Sequence, residues 1–279
     1  MSAAKTFVIT GATNGIGLES AQQIAAEGPR LVLVGRNPAK LESAAEAVRE
    51  AGASDVETVV ADYESLDSVR TAAKQIRELC PRIDVLINNA GTVYASRTLT
   101  TDGYEATFQV NHLAGFLLTE ELKDVLVASA PARVVTTAST GHYGGTMDFD
   151  DLGFERGYQI MRAYSRSKLA NVLYTRSLAA ELEGTGVTAN SLHPGAVATD
   201  IWSGAPWFAR PVLAVAKRWM RKPADGGATI TYLAIDPEVE GESGGYYDDN
   251  RLKEPSELAQ DDAVAARLRD VSAELVGPS

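Results

Sequence analysis

Thr10-Gly11-Ala12-Thr13-Asn14-Gly15-Ile16-Gly17 is a glycine-rich turn between an apolar run, Phe7-Val8-Ile9, and a stretch expected to be helical from about Gly15 to Glu27. Glycines at such a turn let the backbone reverse tightly and let a pyrophosphate approach the start of the following helix. The unpaired N–H groups and the helix dipole supply the attraction for that anion. A strand before and a helix after distinguish a phosphate cradle from an ordinary tight turn. The stretch therefore predicts a dinucleotide-binding α/β fold.

The same alternation continues outward from the turn. Gly28-Pro29 stops the first helix, and Leu31 to Val34 reads as the second strand. Asn37-Pro38 opens a helix to about Gly52, with Asn as cap and Pro in the first turn. Val56 to Ala61 reads as a strand, Ser65 to Leu79 as a helix and Val85-Leu86-Ile87 as a strand. Asp102 to about Val127 reads as one long helix, with Asp102 and Glu105 at capping-box spacing. Arg133 to Thr137 and Val187 to Leu192 are strands flanking a helix from about Gln159 to Glu183. A short strand near Gly245-Tyr246-Tyr247 and a helix from about Ser256 to Leu275 close the pattern. Strands separated by helices need crossovers, hence a parallel sheet covered on both faces. The expectation is a single doubly wound Rossmann-type domain over residues 1–279, with about seven parallel strands. The least regular segments are Gly141 to Gly157 and Asp200 to Pro223.

Composition narrows the function. The 279 residues are 45% hydrophobic and 23% charged, which is globular rather than disordered. A net charge of −11 argues against a sequence-independent hold on nucleic acid or anionic lipid. One cysteine, Cys80, can form neither an internal disulfide nor a thiolate metal site, which suits a reducing compartment. No signal peptide is read between Met1 and the first strand, and no apolar run approaches the roughly 18 residues of a membrane span. A cytoplasmic enzyme is the expectation.

The glycine spacing is TGxxxGxG rather than GxGxxG. Asn88-Asn89-Ala90-Gly91 follows the fourth strand, and Asn111 sits in Val110-Asn111-His112-Leu113-Ala114-Gly115. Ser139 ends the fifth strand, Tyr164-Ser165-Arg166-Ser167-Lys168 is a YxxxK, and Pro194-Gly195-Ala196-Val197-Ala198-Thr199 follows the sixth. Six such patterns in order, each at a strand end, resemble the short-chain dehydrogenase/reductase family. Asp102-Gly103-Tyr104-Glu105, Val110-Asn111-His112-Leu113, Ser167-Lys168-Leu169-Ala170-Asn171 and Leu192-His193-Pro194-Gly195 are similar to its retinol dehydrogenase-like branch.

That resemblance implies a nicotinamide dinucleotide held by Gly11, Thr13, Asn14, Gly15, Ile16 and Gly17 of the turn. It implies Asp62 with Tyr63 at the adenine, and Asn89, Ala90, Gly91, Pro194, Val197 and Thr199 along the rest of the cofactor. Tyr164 becomes the general acid/base and Lys168 also holds the nicotinamide ribose. Ser139 is the hydrogen bond to the substrate oxygen, and Asn111 belongs to a water relay toward Lys168. The chemistry agrees. Tyrosine titrates near 10, so roughly one in a thousand is ionised at pH 7, and an ammonium one helical turn away favours the phenolate.

Strand two ends Leu33-Val34-Gly35-Arg36-Asn37. No carboxylate stands there for ribose hydroxyls, whereas Arg36 matches a 2′-phosphate, so NADP(H) is expected over NAD(H). Residues from about Thr199 to Pro223 read as a substrate lid. They hold all three tryptophans, Trp202, Trp207 and Trp219, which predicts a small apolar carbonyl or alcohol substrate. Arg210, Lys217, Arg218, Arg221 and Lys222 give that lid a basic face suited to a ligand's polar tail or weak membrane contact.

Other chemistries fit less well. Gly241-Glu242-Ser243-Gly244-Gly245 matches the hydrolase GxSxG, but no histidine follows Ser243. His112, His142 and His193 lack ligand spacing, so no metal is expected, and His142 reads as an exposed loop residue. Two function classes stand at this point: an NADP(H)-dependent oxidoreductase, and a catalytically silent dinucleotide-binding regulatory protein on the same fold. Homo-oligomerisation is left open.

Overall fold

A computed structural model of the chain describes residues 4–195 and 223–277. Its strands are β1 (Thr6–Thr10), β2 (Arg30–Gly35), β3 (Asp55–Val60), β4 (Val85–Asn88), β5 (Ala132–Thr137), β6 (Val187–His193), β7 (Tyr246–Asp248) and β8 (Arg251–Lys253). They form one sheet in the order β3-β2-β1-β4-β5-β6-β7-β8. Every pair is parallel except β7 with β8. The helices are α1 (Gly15–Ala25), α2 (Pro38–Glu50), α3 (Leu66–Leu79), α4 (Ala106–Phe108), α5 (Ala114–Ala128), α6 (Ile160–Glu181), α7 (Pro223–Ile235) and α8 (Asp262–Val276).

Strand residues alternate between two cores, as a pleated strand buried on both faces must. Val8, Val32, Val34, Leu86 and Val134 enter the core formed with α3, α5, α6 and α8. Phe7, Ile9, Leu31, Leu33, Ile87 and Val135 enter the core formed with α1, α2 and α7. This is the doubly wound arrangement. The strand order reverses between β1 and β4, and the crevice beyond such a point is where open α/β sheets bind ligands.

The sheet has eight strands rather than about seven. Asp249 and Asn250 lie at φ +55 and +59, so a two-residue turn folds the chain back and adds the antiparallel edge strand β8. The long helix expected from Asp102 is also divided. Gly103 sits at φ +85, and the Asp102 carboxylate faces other groups, accepting from Leu66 N–H at 2.9 Å and from Gln109 Nε2 at 2.7 Å. Glu105 is the cap instead, accepting from Thr107 and Phe108 N–H at 2.9 and 2.8 Å. Between α4 and α5 the backbone opens into a π turn at Gln109–Leu113, centred on Asn111. The expected closing helix starts later, at Asp262, after a short 3₁₀ turn at Glu257–Gln260 and a new cap at Asp261. Among the described residues no helix is long and apolar enough to cross a membrane.

Candidate active site

The turn after β1 is tied to three neighbouring strands. Gly11 N–H donates to Val34 O at 2.9 Å. Thr10 Oγ1 donates to Ile87 O at 3.2 Å and accepts from Asn89 and Ala90 N–H at 3.0 and 3.1 Å. Asn89 Nδ2 donates to Thr10 O and Gly11 O at 3.1 and 3.3 Å, while its Oδ1 accepts from Thr137 Oγ1 at 3.3 Å. Asn89 thus laces the ends of β1, β4 and β5 together.

No side chain fits at Gly11 or Gly17 of this turn. A Cβ at Gly17 would stand 2.3 Å from Gly11 O and 2.5 Å from Asn89 Nδ2, and one at Gly11 would stand 2.8 Å from Ala90 Cα. Thr13 Cγ2 occupies the space that a side chain at Gly35 would need, 2.9 Å from its Cβ position. Asn14 precedes α1 in extended conformation without a side-chain cap, Gly15 follows at φ +55 beside Ile16, and the first turn has no acidic residue. A glycine-rich turn and an uncapped helix start, with no carboxylate in the first turn to repel an anion, fit a dinucleotide pyrophosphate.

Arg36 is exposed and its Nη1 lies 3.4 Å from Glu64 Oε1, which also accepts from Tyr94 OH at 2.5 Å. A carboxylate absent from the end of β2 is therefore delivered from beyond β3. Asp62 is exposed and its Oδ1 accepts from Glu64 N–H at 3.0 Å. Tyr63, expected with Asp62 at the adenine, has its ring in the core shared with α3, because the alternation of β3 continues past its end. Pro194 is buried just beyond β6. Val197 and Thr199, and the lid expected up to about Pro223, lie in residues 196–222, outside those described.

The ends of β5 and α6 bring Ser139, Tyr164 and Lys168 together. Ser139 is buried, its Oγ accepts from Gly141 N–H at 3.1 Å, and it hydrogen-bonds the Tyr164 hydroxyl. Gly141 leaves the ring room, since a Cβ there would sit 3.2 Å from Tyr164 Cε1. Lys168 is buried, its Nζ donates to Thr137 O at 3.0 Å and lies 5.8 Å from the Tyr164 ring centroid. Burial lowers Lys168 to about 8. Burial also pushes Tyr164 above its ordinary value, against the opposing bond from Ser139. The depression expected from the Lys168 charge is thus not what this state shows: an enclosed site disfavours phenolate and ammonium alike.

Asn111 faces the same centre from the π turn. Its Oδ1 accepts from Thr92 N–H at 2.7 Å, and its Nδ2 donates to Thr92 O and Ser167 Oγ at 3.0 and 2.9 Å. Gly91 keeps the approach clear, because a Cβ there would lie 3.2 Å from Asn111 Oδ1 and 3.5 Å from Lys168 Nζ.

Several supporting residues were not singled out by sequence. Ser167 Oγ donates to Tyr164 O at 2.8 Å, and Thr137 O accepts from Asn171 Nδ2 as well as from Lys168. Arg166, inside the YxxxK, is buried. It donates to Thr146 O, Asp151 O and Leu152 O at 2.9, 2.5 and 3.1 Å and stacks 3.7 Å above the Phe154 ring. It thereby fastens the irregular segment 141–157 onto α6. His142 is not an exposed loop residue: its ring is 0% exposed, with centroids 4.1 Å from Tyr143 and 4.6 Å from Tyr246. The 3₁₀ turn Thr140–Gly144 folds it inward. Ser243 of the GxSxG match accepts from Ala189 N–H at 3.0 Å, a structural bond to β6.

Comparison with known proteins finds relatives over nearly the whole chain. The family model for short chain dehydrogenase matches residues 5–206. Mouse retinol dehydrogenase 14 is 42% identical, over 98% of this chain and 86% of its own. The protein named "Putative daunorubicin C-13 ketoreductase DnrU", from Streptomyces sp. strain C5, is 40% identical over 98% of this chain and 93% of its own. A crystal structure of a Mycobacterium paratuberculosis protein superposes with a TM-score of 0.77 at 31% identity, covering 98% of this chain and 94% of that one.

Proposed function

The chain belongs to the short-chain dehydrogenase family, in its retinol dehydrogenase-like branch, and is an oxidoreductase acting on CH–OH groups; from that premise we propose how its own residues work and on what. Tyr164 is the general acid for carbonyl reduction and the base for alcohol oxidation. Ser139 orients the substrate oxygen and donates to it as negative charge develops there. Lys168 holds the ribose next to Tyr164 and lends its charge when a phenolate forms. The Nδ2 protons of Asn111 are committed to Thr92 and Ser167, so its part in resupplying protons runs through the remaining acceptor sites of the π turn. A bound nicotinamide dinucleotide supplies or takes up the hydride. Gly11, Gly15 and Gly17, with the open start of α1, would hold its pyrophosphate.

One observation carries this reading. The Ser139 hydroxyl, the Tyr164 hydroxyl and the Lys168 ammonium gather at the end of β5, beside a glycine-lined turn suited to a pyrophosphate at the reversal of strand order. A silent regulator would not need that catalytic set. A panel of carbonyls and alcohols, followed at the nicotinamide absorbance with both cofactors, tests it. Turnover with no member of the panel would remove the catalytic reading.

NADP(H) over NAD(H) is proposed on Arg36. Its guanidinium is 73% exposed and paired with Glu64 only at 3.4 Å, so a 2′-phosphate can displace the carboxylate. Arg36→Ala is expected to weaken NADP(H) binding about 10- to 100-fold, the range of a lost charge-assisted bond, with NAD(H) binding unchanged. Titration of both cofactors into parent and variant decides this; equal affinities in the parent remove the preference.

The substrate is proposed to be an apolar aldehyde, ketone or alcohol, a class that includes the retinol of the relatives' names. Tyr143, Met161 and Leu252 are large apolar side chains left 52%, 52% and 64% exposed. They lie on the turn after Ser139, on α6 one turn before Tyr164, and on β8. Along a homologous aldehyde series kcat/KM is expected to rise with length, by up to about 0.8 kcal/mol per fully buried methylene. A flat series would contradict it.

A further inference from the structure

His142 has no part in the roles above, yet its contacts are specific. Ser139 O accepts from His142 N–H at 3.1 Å and lies 2.7 Å from its ring Nδ1. The other ring nitrogen, Nε2, lies 3.2 Å from Ser256 N. A backbone N–H only donates, so Nε2 is the acceptor and Nδ1 carries the hydrogen that goes to Ser139 O. The imidazole is therefore neutral and held in one tautomer. The next residue repeats the grip, Tyr143 OH donating to Glu254 O at 2.7 Å. Segment 254–256 leads into α8, which packs on α6. Farther along, Ser272 Oγ of α8 lies 2.9 Å from His112 Nε2, in the π turn of Asn111.

We propose that His142 is a positioning residue: its neutral ring clasps the C-terminal segment at Ser256 to the carbonyl of Ser139, and so aims the Ser139 hydroxyl at Tyr164. This rests on the role proposed for Ser139. A second ring hydrogen at Nε2 would face the Ser256 N–H, donor against donor, and open the clasp. Burial holds the imidazole below its ordinary value, so it is neutral at pH 7 and charges only as pH falls. Tyr143 and Tyr246 flank it, Tyr164 and Asp248 act on Tyr246, and Asp248 and Glu254 act on Tyr143. The three tyrosines are raised and keep their protons throughout the acid range.

His142→Phe keeps an aromatic ring between the two tyrosines and removes both bonds. Ser256→Pro removes the N–H at a φ of −59°, the value a proline ring adopts. Each is expected to lower kcat for carbonyl reduction about 10- to 100-fold, the scale of a small misplacement of a reacting group, with cofactor Kd unchanged. Ser256→Ala, which retains the N–H, loses less than Ser256→Pro. Reduction uses protonated Tyr164, so an acid loss of kcat in the parent does not come from that residue; the loss follows the imidazole titration and is absent from His142→Phe. Independently of turnover, the Ser256 amide exchanges slowly in the parent and fast in His142→Phe, and ring-nitrogen NMR at pH 7 reports the Nδ1–H tautomer. A folded His142→Phe with an opened Ser256 amide and parental kcat overturns the proposal, as does a charged or Nε2–H ring. A parent that turns over no carbonyl overturns the functional reading instead, while tautomer and exchange still decide the clasp.

Discussion

Tyr164→Phe is expected to reduce turnover about 10²- to 10⁴-fold, the usual contribution of a positioned general acid or base, and to leave cofactor affinity near that of the parent. The ring packs where Gly141 makes room, so phenylalanine retains the contact and loses only the hydroxyl. Ser139 retains its bond from Gly141 N–H, so the local turn survives the change. The effect also has a pH signature. Burial keeps Tyr164 protonated at neutral pH, which is the form that reduces a carbonyl. Alcohol oxidation needs the ionised form, so the parental oxidation rate climbs with pH over the alkaline range. That climb should vanish in Tyr164→Phe. Steady-state rates in both directions across pH, with cofactor titration on the same preparations, check this; parental turnover in the variant would exclude Tyr164 as the proton donor.

Sequence reading succeeded where a requirement is local. The turn needs glycine where the backbone packs closest, since a Cβ at Gly17 has nowhere to go, and that demand is written into three glycines in eight residues. The Asn37 cap and the proline behind it likewise stand as expected, with Asn37 Oδ1 accepting from Lys40 N–H at 3.0 Å. Misreadings occur where tertiary contacts redirect a residue. Asp102 has capping-box spacing to Glu105, but Leu66 N–H and Gln109 Nε2 compete for its carboxylate and win. β8 escaped notice because Arg251-Leu252-Lys253 is an exposed three-residue edge without apolar alternation; Asp249-Asn250, two residues tolerant of positive φ, was the available signal. His142 was misplaced because its partners, Tyr246 and Ser256, lie more than a hundred residues away. The i,i+4 spacing of Tyr164 and Lys168 correctly put them on one face of α6. Spacing carries no information about solvation, which sets the direction of both titrations here.

That solvation makes Lys168→Met a variant in which activity and stability move in opposite directions. Lys168 is buried, and among the described residues its Nζ donates to the neutral carbonyl Thr137 O rather than to a carboxylate. Its charge is therefore poorly compensated, and its value falls from 10.5 to about 8. Between those values the unfolded chain binds more protons than the folded one, so parental stability rises with pH across that window and is lost again as pH falls through about 8. Methionine matches the stem and carries no charge. At pH 7 it removes a burial penalty on the order of 3 kcal/mol, offset by about 1 kcal/mol for the lost bond to Thr137. A higher Tm at pH 7 than the parent's is expected, together with loss of the rise that Lys168 contributes between pH 8 and 10.5. Turnover is expected to fall at least about 10²-fold, since no charge remains to favour the Tyr164 phenolate, and cofactor affinity falls with it because the ribose loses its ammonium. Tyr164→Phe leaves affinity intact and Lys168→Met does not, so binding titration separates the two roles. A Lys168→Met protein less stable than the parent at pH 7 would show that the ammonium is well compensated in the folded chain.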